Sequence, residues 1–592
     1  MIHSLRKGVI PIMNEYQILL KEWLDALLDL QIGGTGTICL DGAIMCPACK
    51  SEHGRSGDMV YALVYMYSLT KEEKYLEASD RLLEWTEKNF RLPSGGYKNG
   101  AKSEWTGITV FAAISYGLTL AEHKDELGKE RFERWSVVFF RLCSFMDGYF
   151  ETSMPNINYA MSYTALLAIR FRLTGDMSTK IKAREWFDFC MKWITPEGLI
   201  YGEGIPMDGV TAKGCRSIDI GYNVEESLPS LVLYSMITGD EEAKDRLCGI
   251  LRTHLEFMIP DGGWDNSFGS RFYKWTYWGS RTSDGCQSAY ILLSDRDPMF
   301  GEAAYRNYLL YKRCTVGGLL AGGLMYRQAG EPPCVHHTFC HVKAMTVMSK
   351  SGYVHDRTVM LPRETGEGMK HWPSLDVTTA RKNGWVMTVS GYDFLQHREL
   401  YPTGGALTLL WNSTCGPVIS ATPTKYKMVE SGNMQTPYYP PVCGTPSLEK
   451  ECGGKKYSSL NDTEAVLESR CESGDIVITA RGIMKDAEGV PLEGSGYEIE
   501  YRISDDVSVS ISCKSGARFT FPVISASDDT ITAGEDSCII SGGRNLKITC
   551  SVSGSLCIED KMRGFNPVGG FQTLPLSFEI SDAVPLKITV SQ

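Results

Sequence analysis

The chain has 592 residues, 43% apolar and 22% charged, enough for a large core and unlike a disordered polypeptide. Acidic residues outnumber basic ones 71 to 60, a net charge of −11, which argues against nucleic acid as a partner. An anionic ligand is not excluded, because the field in a cleft is set by the groups that line it.

Arg6 and Lys7 precede only a short apolar patch broken by Pro11, unlike a signal peptide, and no apolar run is long enough to cross a membrane. The nineteen cysteines are odd in number and lack framework spacing, so they read as reduced thiols. The expectation is a cytoplasmic protein.

From about residue 14 to 350 the apolar pattern is helical and repeats. Leu69-Thr70-Lys71-Glu72, Leu173-Thr174-Gly175-Asp176 and Ile237-Thr238-Gly239-Asp240 each end one apolar segment and open an amphipathic one. Each of those stops at Pro93-Ser94-Gly95, Pro196-Glu197-Gly198 or Pro260-Asp261-Gly262. Thr, Gly and Asp at such a turn end one helix and cap the next. About a dozen helices result, and the simplest closure is an N-terminal (α/α)6 toroid of helical hairpins over residues 1–354. An open superhelix of hairpins is the alternative.

In the toroid the tight turns lie at one end and the long loops at the other, feeding the inner helices. Those openings contain His53 and Arg55, Trp105, Asn158 and Tyr159, Tyr222 and Asn223, Arg281 and Asp284, and His336 and His337. All are expected to converge on one rim, where helix N-termini also favour anions.

The aromatic stretch PDGGWDNSFGSRFYKWTYWGSRTSDG, Pro260–Gly285, has neither helical nor strand periodicity. Trp264 and Trp278 there suit stacking on sugar rings, and Arg271 and Arg281 suit holding a carboxylate or sulfate. The bland alternative is a loop that staples helices by burying its tryptophans.

Three of the ten histidines fall in Cys334-Val-His-His-Thr-Phe-Cys-His341. An i,i+4 metal pair and structural histidines are two readings; proton transfer or carboxylate binding by His336 or His337 is the preferred third. Cys46-Pro47-Ala48-Cys49 followed by His53 resembles half a zinc site without a second CxxC. The cysteine pair is therefore assigned to packing, with His53 and Arg55 on the substrate face. Paired carboxylates for a hydrolase could come from Asp219, Glu225, Asp265 or Asp284. Glu225 and Glu226 could equally be solvated surface acids.

Beyond about residue 355 short alternating runs such as GWVMTVSGY, YEIEYRI and VSVSISC replace the helices. They predict a C-terminal antiparallel β-sandwich domain over 355–592. Pro423–Asn461, with Tyr438-Tyr439-Pro440-Pro441, reads as a long loop or sheet crossing.

A toroid followed by a β domain, with NINYAMSY, GWDNSFGSRFYKWTYWGSRTSDG, HHTFCHVKA, HWPSLDVTT and GGALTLLWN, resembles the polysaccharide lyases of the heparinase II/III-like and hyaluronate/chondroitin-lyase type. The resemblance covers nearly the whole chain. It departs from that pattern in lacking an Asn-Asn or Asn-His doublet and a Gly-His-Gly-His at the start of the β domain. It implies β-elimination of a uronate-containing glycan with no organic cofactor, an assisting or structural divalent metal not being excluded. By that similarity Asn158 would neutralise the carboxylate and Arg281 would bind it. Tyr277 or Tyr222 would supply acid or base, with His337 assisting as base. His53, Arg55, Trp105, Tyr159, Asn223, Trp264, Arg271, Trp278 and His336 would line the substrate site. The alternatives are a glycoside hydrolase on the same toroid, acting for example on unsaturated uronides, and a non-catalytic glycan-binding protein.

Overall fold

The computed structural model describes residues 13–100, 103–396, 401–426, 443–552, 554–580 and 586–591. The N-terminal segment with Arg6, Lys7 and Pro11 and the Tyr438–Pro441 stretch lie outside them.

The helices are α1 (Glu15–Asp29), α2 (Val60–Thr70), α3 (Glu73–Asn89), α4 (Thr109–Glu122), α5 (Lys124–Thr152), α6 (Ile157–Thr174) and α7 (Met177–Cys190). There follow a single turn α8 (Ile220–Tyr222), α9 (Leu228–Thr238), α10 (Glu241–Leu255), α11 (Gln287–Leu292), α12 (Pro298–Cys314), a short α13 (Tyr326–Ala329) and α14 (Val335–Lys350). Helices α2, α4, α6, α9, α11 and α14 touch in that order, and α14 returns to α2 and the 3-10 turn Gly54–Met59 before it, so the inner ring is closed.

Sequence chooses which helix lies inside. Helix α4 is buried on every side from Thr109 to Leu120. Helix α3 buries one stripe, with Tyr75, Leu76, Leu82 and Leu83 on it, and is polar elsewhere. The outer layer is α3, α5, α7, α10, α12 and, beside α14, the first helix α1. Six hairpin-like pairs therefore form the predicted toroid, the last joining the two ends of the helical region.

The tight turns are as the repeats imply. Gly175 and Gly239 cap their helices at φ +70° and +68°, a left-handed conformation glycine adopts without strain. Asp176 then accepts from the Ser178 N–H at 2.9 Å and Asp240 from the Ala243 N–H at 3.0 Å, opening the outer helices.

Two small hairpins interrupt the ring, β1 (Trp275–Thr276) with β2 (Gly279–Ser280), and β3 (Thr315–Val316) with β4 (Leu319–Leu320). The β region begins with a five-stranded antiparallel sheet, β5 (Gly368–Trp372), β6 (Val377–Lys382), β7 (Trp385–Ser390), β8 (Ala406–Asn412) and β9 (Gly416–Ser420). A fourteen-stranded antiparallel sheet follows, between Ser447 and Ser591. Its first two strands, Ser447–Cys452 and Lys455–Ser458, occupy part of the stretch expected to be a loop or crossing. That stretch is rich in Gly, Ser and Lys, and strand pairing rather than its own propensity makes it extended.

The small sheet is the middle layer. Along β7, Trp385, Met387 and Val389 pack with Ile478, Tyr501 and Val509 of the large sheet. Val386, between them, joins the toroid core, and Thr388 points the same way to donate to Asp265 Oδ2 at 2.5 Å. Thr408 of β8 accepts from the Ser267 hydroxyl at 2.9 Å, and Arg363 pairs with Asp265 at 2.8 Å. The aromatic stretch is thus the joint between ring and sheets.

Candidate active site

The joint has two faces. Facing the core, Trp264 stacks on Tyr290 and Trp275 donates to the Trp264 carbonyl at 2.9 Å. Trp278 lies edge-on to Tyr311, His337 and His341 and donates to the Ala321 carbonyl at 2.8 Å. All three indoles are fully buried. Trp264 and Trp278 are therefore staples of the fold and not sugar platforms: their edges and faces are already covered by protein.

The other face carries charge. Arg271 pairs with Glu203 at 3.2 Å and lies over the Tyr222 ring, 4.1 Å from its centroid. Lys274 donates to the Tyr222 hydroxyl at 3.1 Å, and that hydroxyl also meets Thr282 Oγ1. Positive charge thus surrounds the atom where a phenolate's negative charge would reside.

From Thr282 the contacts run around the rim. Its carbonyl accepts from Arg55 Nη1 at 2.8 Å; Arg55 also pairs with Asp58 at 2.9 Å and sits 4.4 Å over the Phe111 ring. Phe111 packs on Tyr159, whose hydroxyl accepts from the Trp105 indole at 3.0 Å. Trp105 is 37% exposed, so part of its ring is accessible from outside. The Asn158 N–H donates to Glu203 Oε1 at 3.0 Å, returning to Arg271. The His336 ring packs edge-on to His53, and Lys343 of the same helix pairs with Asp284, which also lies 3.8 Å from Arg55. Residues from all six inner-helix openings therefore share one end of the ring.

Burial shapes the titrations here. Glu203 is pushed up to about 7 by burial, which outweighs the pull of Arg271. Glu226 lies in the π-helical turn Asn223–Ser227, buried, with neither carboxylate oxygen bonded, and burial followed by Asp284 raises its pKa well above the usual range. His337, whose ring nitrogens make no described hydrogen bond, is held well below its ordinary value by burial and then by Arg281.

Several sequence expectations need correction. Tyr277 is fully buried and donates to both oxygens of Asp261, at 3.0 and 3.1 Å, with Phe571 edge-on to its ring. Burial and Asp261 push its pKa well up, away from the acid or base role that the resemblance implied. Asn223 donates to the Ile200 carbonyl at 2.9 Å and its amide meets His254 at 3.2 Å, so its amide nitrogen is committed to the fold. Glu225 and Glu226 are buried, not solvated. Glu225 accepts from Ser280 N–H, Ser283 and Tyr311, and Gly279 has no side chain because a Cβ would stand 2.1 Å from its carboxyl.

His53 and the CxxC pair also change meaning. Cys46, Cys49, His53 and Cys334 form one cluster whose ligand atoms all lie within 4.8 Å of one another, so these four residues could hold a metal. The cysteine pair assigned to packing thus meets Cys334, and His53, assigned to the substrate face, turns its Nε2 to Cys334 Sγ, 3.7 Å away.

The family model for the ulvan lyase N-terminal domain matches residues 20–364 and that for the ulvan lyase C-terminal domain matches 369–592. A broad-specificity ulvan lyase of Formosa agariphila is 34% identical over 579 residues, covering 94% of this chain and 90% of that one. This chain belongs to the ulvan lyase family. It is a carbon–oxygen lyase acting on polysaccharides, as the resemblance implied. The chondroitin AC lyase of Streptomyces coelicolor A3, solved with chondroitin sulphate, shares the fold with a TM-score of 0.55 at 12% identity, over 99% of this chain and 80% of that one. The toroid followed by an antiparallel β domain is thus the architecture of a solved lyase as well. Among the described residues of this ulvan lyase homologue, no helix is long and apolar enough to cross a membrane.

Lys274, Glu203, Glu226 and Thr282 were missed as site residues. Glu203 and Glu226 sit where solvated acids are the default. Lys274 carried a signal in the sequence, as the one lysine of the aromatic stretch Pro260–Gly285.

Proposed function

We propose that the chain cleaves an anionic, uronate-containing glycan of the ulvan type by β-elimination at the long-loop end of the ring. The observation that carries this is Tyr222, held between the Lys274 ammonium and the Arg271 guanidinium. The C5 hydrogen of a uronate is barely acidic while the carboxylate keeps its full charge. The Asn158 amide and the Arg271 guanidinium are the groups that would bind that carboxylate and stabilise the enolate as it forms. The Tyr222 oxygen takes the C5 proton, the electron pair forms the C4=C5 bond, and the C4–O4 bond breaks. The phenol proton then passes to O4, restoring the starting state. Lys274 and Arg271 favour the phenolate that begins this cycle. Arg55, Arg281, Trp105, Tyr159 and His336 position the chain of sugars.

The four carboxylates that the sequence offered a hydrolase, Asp219, Glu225, Asp265 and Asp284, are engaged, Glu225 by Ser280, Ser283 and Tyr311. Asp219 accepts from Asn266 at 2.9 Å and from the Arg271 N–H at 3.1 Å, Asp265 pairs with Arg363, and Asp284 pairs with Lys343. All nineteen cysteines lack a disulfide, which supports a reducing, cytoplasmic location. The test is incubation with ulvan, chondroitin and heparin preparations while following ultraviolet absorbance. An absorbing unsaturated uronide formed from ulvan is expected. New reducing ends without that absorbance would mean hydrolysis, and binding without cleavage would leave only the glycan-binding reading.

A further inference from the structure

We infer that Cys46, Cys49, His53 and Cys334 bind a zinc ion that clasps the two ends of the helical ring. Sγ of Cys46 lies 3.6 Å from that of Cys334, Sγ of Cys49 lies 3.5 Å from it, and His53 Nε2 lies 3.7 Å from it. A tetrahedral site with Zn–S of about 2.3 Å and Zn–N of about 2.0–2.1 Å has edges of roughly 3.8 Å between sulfurs and roughly 3.6 Å from sulfur to nitrogen. A disulfide would need about 2.05 Å. The spacing is that of four ligands around one ion, and soft thiolates with one imidazole are a structural zinc donor set.

The backbone is shaped for the same purpose. Residues 45–52 form a small turn in which the Cys46 N–H donates to the Ser51 carbonyl at 3.0 Å and the Lys50 N–H to the Cys46 carbonyl at 3.0 Å. Lys50, directly after the second cysteine, has φ +54°, a conformation a lysine adopts only when its surroundings impose it. The turn brings both sulfurs to one side, and the Cys49 N–H donates to Cys46 Sγ at 3.3 Å, a bond that stabilises a thiolate. His53 and Cys334 occupy the N-cap positions of the first inner turn and of α14, and neither makes a side-chain cap bond. Their side chains serve each other across the seam instead.

The clasp has a clear place in the fold. It ties residues 288 apart in sequence, where α1 meets α14 and the first inner helix meets the last. It also fixes the start of α14, two residues before His336. The inference does not depend on the proposed chemistry, since a structural ion here would serve a binder or a hydrolase equally.

The full-length protein, purified without chelator from zinc-supplemented cells, is expected to carry one zinc per chain by elemental analysis. That zinc should be released to a colorimetric chelator only after the thiols are modified. Cobalt exchanged into the site should give thiolate-to-metal charge-transfer bands and the strong d–d bands of a tetrahedral centre. Cys49→Ser and Cys334→Ser should each lose most of the metal, whereas Cys340→Ser, on the same helix but outside the cluster, should keep it. Cys49 is the least buried ligand, so its variant reads the site even if the Cys334 variant does not fold. Metal-free wild-type protein, iron in place of zinc, full zinc retention by Cys49→Ser, or a disulfide among the three cysteines by mass would each overturn the inference.

Discussion

The two ends of the ring are built from the same helices and could hardly differ more. At the tight-turn end, acids cap helices and pair with surface arginines, as when Asp240 caps α10 and accepts from Arg184 at 3.1 Å and Tyr234 at 2.9 Å. At the long-loop end, Glu226, Asn158 and His337 are buried with part of their hydrogen-bonding capacity unmet. Such groups destabilise a fold unless a ligand completes them. The contrast supports placing the proposed chemistry at the long-loop end.

Removing the Tyr222 hydroxyl should separate the two ends most sharply. Tyr222→Phe should lower kcat by about 10²–10⁴-fold with little change in melting temperature, read by ultraviolet absorbance and calorimetry. A variant that keeps full activity would move the chemistry away from Arg271 and Lys274.

The next effect is one of pH. Glu203 holds its proton in the folded chain up to about 7, whereas its ordinary value is 4.5. Between those values the folded state binds the extra proton, so this contribution is complete below about 4.5 and is lost as pH rises to about 7. It is on the order of 3 kcal/mol. Glu203→Gln should flatten that slope in denaturant unfolding followed across the window.

Tyr277→Phe is the control for the core-facing side of the aromatic stretch. Loss of its bonds to half-buried Asp261 should cost about 1–3 kcal/mol of stability and leave kcat within a few-fold of wild type, the reverse pattern to Tyr222→Phe. At the turn end, Asp240→Ala should cost about 1 kcal/mol through the lost cap and leave the absorbance assay unchanged.

The toroid was legible because its signals are local: turn residues at repeated positions and a switch between all-round apolar and amphipathic segments. So was the convergence of Arg55, Asn158, Tyr222 and Asp284, which follows from topology once the hairpins are counted. The choice between Tyr222 and Tyr277 was not. Both are tyrosines near arginines in sequence, but Tyr277 meets Asp261 across a turn and Phe571 from the far end of the chain. The tryptophans misled for a related reason, since periodicity cannot mark the burial of a loop held between a helical ring and a sheet. Cys334 was invisible as a partner of Cys46 because nothing local links positions so far apart.

The pairing of α1 with α14 has a consequence for biogenesis. Emerging from the ribosome, the first helix must wait for the last to be made before its apolar stripe is covered. Until then the growing barrel has an open wall whose exposed flank invites chaperones or a second nascent chain.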